Sequence, residues 1–325
     1  MRKSSKSSLT ETDAWPSLPL DAWLPTYETL HRWTQIVGKT RLKLAPFVNH
    51  WWHCTLYVTP RGLTTSAMPY RRGIIELEFD FLDETLSART SDGRTTSIRL
   101  QNESVADFYR RYRELLASLG VDVEINGAPN EVLDATPFAE DVTHSTYDAD
   151  AARRCWRALV QADRLLNRFR GQFTGKCSPS HFWWGSFDLA CTRFSGRAAP
   201  PHPGGIPNLP LYVVREAYSR ECISAGWWPG AKGSSVEEPA FYAYAYPEPK
   251  GCNIAPIEPE GAAYNTDMRE WILPYERART SPGPDATVMR FLESTYDAAA
   301  KLGGWDVETL RATPPGRVTR RSRAD

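Results

Sequence analysis

The chain has 325 residues, 41% of them hydrophobic, 24% charged and 12% aromatic, and its 39 basic side chains balance its 39 acidic ones. This is globular composition with enough apolar material for a sizeable core in one large or two medium domains. Zero net charge argues against a protein built mainly to hold nucleic acid or an anionic membrane surface.

Residues 1–13 read as a polar, disordered tail with no apolar segment of the kind a secretory leader carries. Pro25 suits a first helical turn, Tyr27, Leu30, Thr34 and Val37 follow at helical spacing, and Gly38 reads as the left-handed stop. Trp51 to Thr59 reads as a strand, with Leu63 to Met68 as its return. From Ile74 to Leu82 the alternation places Ile75, Leu77, Phe79 and Phe81 inward and Glu76, Glu78 and Asp80 outward. Thr85–Thr90 and Thr95–Leu100 form a hairpin about Asp92-Gly93, with Arg89 and Arg99 available to that acidic face. Ser104 to Asp107 resembles a capping box and opens a helix that ends at Gly120. Val121–Ile125 reads as a strand. A third helix covers Asp150 to Arg170, with Arg153, Arg157, Arg164 and Arg168 as a solvated row. Phe182–Thr192, Cys222–Trp228 and Phe241–Tyr246 read as strands, and Asp285–Leu302 as a fourth helix. Residues 313–325 read as a disordered basic tail. No apolar run nears the ~20 residues of a membrane span.

A repeated order emerges: helix, Gly-Lys, Trp-Trp strand, Thr and Arg, further strands, helix, Leu-Gly. It runs through Gly38-Lys39 and Trp51-Trp52, then through Gly175-Lys176 and Trp183-Trp184. The expected fold is α+β: mainly antiparallel sheets with packed helices and a pseudo-twofold internal duplication. Residues 14–130 would be the first half and 131–312 the second, packed as one unit, with an aromatic crease between them. The second half carries two Pro-rich inserts, 197–210 and 247–262.

Asn49-His50-Trp51-Trp52-His53 suggests a metal site, but two histidines three apart on a strand face opposite ways. No metal and no cofactor are therefore expected, and His50, His53 and His181 are candidates for ligand contact or proton transfer. Asp188, read as flanked by Phe187 and Leu189 on an apolar strand, must be paired or pushed toward neutrality, with Lys176, Arg193 or His181 as available partners. Tyr242, Tyr244 and Tyr246 share one face, a flat strip with hydroxyls suited to the floor of a site or to packing under the Pro-rich segments. Asp188, His50, His53 and Lys176 are thus the catalytic candidates. Trp51, Trp52, His181, Trp183, Trp184, Arg193, Tyr242, Tyr244 and Tyr246 are the ligand-binding candidates. The six cysteines lack a C-x-x-C pair and read as reduced cytoplasmic thiols.

The segments 14–40, 49–70 and 241–249, and above all GKCSPSHFWWGSFDLACTRFSGRAAPPHPGGIPNL at 175–209, resemble an uncharacterised bacterial family, domain of unknown function 5996. The resemblance spans about residues 14–312. It implies a bacterial, cytosolic, single-unit protein and supplies no reaction, cofactor or catalytic residue. The residues themselves point to a small organic molecule held in the aromatic crease, with acid/base chemistry at Asp188 or a histidine. A non-catalytic carrier or sensor, and a Trp-rich interaction scaffold, are the alternatives; neither nucleic acid nor membrane is expected as a partner.

Overall fold

A computed structural model describes residues 14–312; the two tails expected to be disordered lie outside the described residues. Helix α1 (Leu24–Leu44) leads into a first sheet of six short strands, β1 (Tyr57–Val58), β2 (Gly62–Thr64), β3 (Met68–Tyr70), β4 (Gly73–Asp80), β5 (Thr85–Thr90) and β6 (Thr95–Arg99). Their order is β1-β2-β4-β5-β6, with β3 also on β4, and every pairing is antiparallel. Helices α2 (Val105–Ser118) and α3 (Ala149–Arg170) follow. A second antiparallel sheet runs β11-β12-β10-β9-β8-β7. Its strands are β7 (His181–Trp183), β8 (Asp188–Ala198), β9 (Arg220–Trp228), β10 (Ala240–Tyr246), β11 (Ala263–Asn265) and β12 (Glu270–Pro274). Short helix α4 (Leu211–Ala217) interrupts it, and α5 (Tyr275–Arg279), α6 (Pro284–Leu302) and α7 (Val307–Leu310) close the chain. The fold is α+β with antiparallel sheets, as expected.

The sheets meet edge to edge. Leu56 and Phe182 exchange both backbone bonds, at 3.0 and 2.9 Å, so β1 and β7 form the seam. Leu189, Cys191, Ala225, Trp227, Phe241, Ala243, Trp271 and Leu273 point to one face of the second sheet, where α3 and α6 cover them. That face merges with the interior of the first sheet, so one apolar core serves both.

Several local expectations hold. Ser104 Oγ accepts from the Asp107 amide at 3.1 Å, and Gly93 takes φ +88 in its hairpin turn. Arg89 pairs with Glu78 at 2.8 Å, whereas Arg99 turns to Glu84. Arg153 and Arg164 meet Asp150 and Asp285 on the surface. Replacing the cap, Ser104→Ala, is expected to lower stability by about 1 kcal/mol. Urea unfolding checks this, and an unchanged midpoint would contradict it.

Four expectations are corrected. Gly38 does not end α1; the helix runs six residues past it. A Cβ there would lie 2.2–2.4 Å from the Trp184 indole, so the glycine is a notch for that ring. Trp51-Trp52 is not in a strand: His50 and Trp51 both take φ +59, and the segment is a tight turn. The Trp51 Nε1 donates to Val213 O at 2.9 Å and the His50 amide to Glu216 Oε1 at 2.9 Å, which ties this turn onto α4. Val121–Ile125 forms no strand. The single strand expected over 182–192 is a hairpin, β7 and β8, closed by Trp184 to Phe187. Trp51-Trp52 and Trp183-Trp184 therefore do not occupy equivalent hairpins.

Candidate functional site

The second sheet has another, helix-free face: among the described residues no α-helix packs broadly against it. Register places Trp183, Asp188 and Trp228 in one row across β7, β8 and β9, and His181, Ala190, Gly226 and Tyr242 in the next. Thr192, Ser224 and Tyr244 make a third row, and one step beyond the Ala243–Trp271 pair Glu270 falls beside Tyr244. Small residues occupy the middle, with aromatic and acidic ones around them. Gly226 lacks a side chain for a reason: a Cβ would lie 2.6–2.7 Å from the Tyr242 phenol and 2.3 Å from Leu189 O. Tyr242 can therefore lie across β9 and reach Asp188 on β8.

Asp188 is 7% exposed. Its Oδ1 accepts from Ser186 Oγ at 2.5 Å and its Oδ2 from the Tyr242 hydroxyl. Burial pushes its carboxyl up to about 6, against the opposing pull of those two donors. The preceding residue, Phe187, is held at φ +58 with its ring wedged against Tyr27 and Phe182, each 5.0 Å away. A strained turn thus fixes the start of β8 and the aim of Asp188.

Two further carboxyls face this centre, and neither was singled out from the sequence. Glu131 has its Oε1 against the Cα of Gly185, where a Cβ would lie 2.0 Å away. Glu270 comes from β12. Both retain some solvent access yet are hemmed in by protein on nearly every side. Burial, and then the Asp188 charge, push Glu131 up to about 7 and Glu270 up to about 8. Among the described residues neither side chain makes an ion pair within 4.0 Å. The cation facing Glu131 is Lys39 on α1, itself 4% exposed, which donates to Asn130 Oδ1 and lies 5.6 Å above the Trp184 ring. Burial lowers Lys39 to about 8, partly offset by Glu131.

The first Pro-rich insert holds Glu131 in place. Pro207 O accepts from the Glu131 amide at 3.0 Å, and Asn208 Nδ2 donates to Val132 O at 2.7 Å. Glu131 itself sits at φ +60, a conformation a non-glycine residue keeps only when its neighbours impose it. The insert also packs on the tyrosine strip. The Tyr246 hydroxyl donates to Pro200 O at 2.9 Å, and the His202 ring lies 4.8 Å from Tyr218 and 4.9 Å from Tyr246. The Tyr218 and Tyr244 hydroxyls are 2.9 Å apart.

The other sequence candidates divide into separate groups. Arg193 is on the opposite face of β8, its guanidinium 3.4 Å from the Phe169 ring and 4.2 Å from that of Tyr296, donating to Phe169 O. It is a core cation and contacts neither Asp188 nor the helix-free face. Lys176 is exposed over the Trp52 and Phe194 rings, 5.0 Å from each. The expected pairing of Asp188 with Lys176, Arg193 or His181 is thus replaced by Ser186 and Tyr242. His50 stacks on Phe194 at 4.6 Å and shares a 2.9 Å contact between Nδ1 and Ala217 O. Trp184 is buried, donating to Cys54 O at 2.7 Å, while Trp183 is half-buried with its ring 5.6 Å from His181. Trp52, His53 and His181 line a separate cleft at the seam. None of the twelve Trp is fully exposed; Trp51, Trp52, Trp183, Trp228 and Trp305 are half-buried.

The chain matches the family of unknown function DUF5996 over residues 15–312. It belongs to that family. No curated protein and no solved structure shows a match to it. Membership of DUF5996 brings no reaction with it, so the chemistry rests on the geometry above. Among the described residues, no helix is long and apolar enough to cross a membrane.

Proposed function

We infer that this protein binds a small organic molecule on the helix-free face of the second sheet and exchanges protons with it through Asp188. One observation carries the reading: Tyr242 donates to a buried Asp188 that two more carboxyls, Glu131 and Glu270, face with proton affinities raised toward neutrality. A buried carboxyl poised near neutral pH can take or give a proton at physiological pH, which ordinary surface carboxylates cannot. Tyr218, Tyr242 and Tyr244 supply flat walls, and Lys39 supplies one positive contact.

A carrier or sensor is the second reading. It is favoured by the satisfaction of both Asp188 oxygens by protein donors, which suits anchoring more than turnover. The proposal includes a reducing bacterial cytoplasm, supported by six cysteines scattered without a C-x-x-C pair. It also includes a common origin of the two halves, supported by the order helix, antiparallel strands, helix in each.

Native mass spectrometry of freshly purified protein tests the site. A small-molecule adduct is expected on the wild type, with at least a tenfold drop in affinity in Asp188→Asn, as expected for losing a charged hydrogen-bonding partner worth about 1.5–3 kcal/mol. Conversion of the adduct on incubation separates enzyme from carrier. An Asp188→Asn protein that keeps the adduct at full occupancy would remove Asp188 from the site.

A further inference from the structure

The seam between the sheets holds a second, separate cleft of about 310 Å³, lined from the first half by Arg41, Trp52, His53 and Tyr57 and from the second by His181. Its volume is at the lower end of small-molecule sites, roughly 300–1,000 Å³. Pro46, Pro69 and Pro179 stiffen the remaining wall. No Asp or Glu lines it.

Arg41 is only 8% exposed, and among the described residues it makes no ion pair. The other buried arginines have a carboxylate or several rings against them, although the Arg193 Nε is equally without a partner. Arg32 pairs with Asp141 at 3.1 Å, and Arg193 is enclosed by the rings of Phe169, Phe173 and Tyr296. Arg41 donates to Thr65 O and lies 5.4 Å from the Tyr57 ring, while its Nε has no partner. A buried guanidinium is costly unless a negative group approaches it. His181, 1% exposed, adds a second orphan: Nδ1 is 2.8 Å from Thr55 Oγ1 and Nε2 has no partner. The cleft thus joins a cation that has the Tyr57 phenol and a carbonyl but no carboxylate beside it, an unsatisfied imidazole and two flat aromatic walls.

We propose that this cleft takes a small organic anion, a carboxylate on a flat apolar body, with Arg41 as its counter-charge. The carboxylate meets the guanidinium, whose planar fork suits it, and the ring lies between Trp52 and Tyr57. Asp188 does not line this cleft, although His181 stands one row from it on the same face of the sheet.

Titration of the full chain with benzoate, followed by saturation-transfer NMR and by the melting temperature, is the test. Benzoate should bind saturably and raise Tm, and benzamide, neutral and of the same shape, should bind at least tenfold more weakly. Arg41→Gln should abolish benzoate binding. Because Arg41 also holds Thr65, a second variant is needed: Ala67→Leu, at an exposed position on the rim, narrows the mouth and leaves Arg41 in place. It should bind benzoate at least tenfold more weakly with Tm of the free protein unchanged. Asp188→Asn should leave benzoate binding as in wild type, which separates this proposal from the acid/base reading. Equal binding of benzoate and benzamide, no benzoate signal on the wild type, or undiminished binding by folded Ala67→Leu would each overturn it.

Discussion

Raising the pH from about 6.5 to about 8.5 is expected to lower the stability of the fold by about 1 kcal/mol, the loss from Glu131 and Glu270 being partly offset by Lys39 and the buried histidines. The sign follows from proton counts. In the unfolded chain carboxyls titrate near 4, whereas Glu131 and Glu270 hold their protons up to about 7 and about 8 when folded. The folded state therefore binds more protons across this window. Their contribution is complete below the unfolded value and is lost as pH rises through the folded ones. Asp188, at about 6, has mostly titrated before the window opens. Buried histidines act in the opposite direction lower down: His31 and His181 are depressed to about 4 and about 3, chiefly by burial, so stability rises with pH until the unfolded imidazoles are neutral. On these five groups the carboxyls already outweigh the histidines at about pH 6, so the decline with rising pH begins below that value. Glu270→Gln should flatten the fall, and at about pH 8.5 it should be more stable than wild type, because the charge it removes has no ion pair. Urea unfolding of both proteins across the range decides this; parallel curves would contradict it.

Gly38→Ala should destabilise the fold by roughly 1–3 kcal/mol, against the ordinary helix preference. In an exposed helix interior alanine is favoured over glycine by about 1 kcal/mol. Here the new methyl would fall 2.2 Å from Trp184 Cδ1 and 2.4 Å from its Nε1. The indole cannot swing aside freely, being 7% exposed and bonded through Nε1 to Cys54 O. Overpacking wins over propensity, and because Lys39 follows directly in the chain, the shift should reach Glu131 as well. A lower urea midpoint together with a changed Trp fluorescence is the expected result. A midpoint at or above wild type would show that α1 has room there.

The sequence made the face of β10 legible because strand alternation needs no tertiary knowledge: Tyr242 and Tyr244 had to fall together, and an Asp beside apolar neighbours had to be compensated. The identity of the compensating group was not legible. Tyr242 reaches Asp188 only because β9 lies between β8 and β10 and presents Gly226 at the crossing point, a fact of sheet order. Glu131 and Glu270 were missed for different reasons. Glu131 stands in an irregular loop that carries no periodic pattern, and is aimed by a clasp from Pro207 and Asn208 far along the chain. Glu270 begins β12, a strand too short to announce itself. Gly38 carried an available signal, a glycine followed by six residues of which five are good helix formers, but a stop and a notch look alike without the partner ring. The histidine motif misled in the other direction: His50 and Trp51 mostly fasten α4, and only His53 and Trp52 reach a cleft.

The central claim is that buried Asp188 and half-buried Glu131 and Glu270 form one set able to trade protons near neutral pH. Carbon-13 NMR of the side-chain carboxyls, titrated from about pH 4 to about pH 9 with single-residue replacements for assignment, measures it directly. The account predicts three resonances with midpoints between about 6 and about 8, and a shift in the Glu131 and Glu270 curves in Asp188→Asn. Three independent midpoints below about 5, the range of solvated carboxylates, would contradict it.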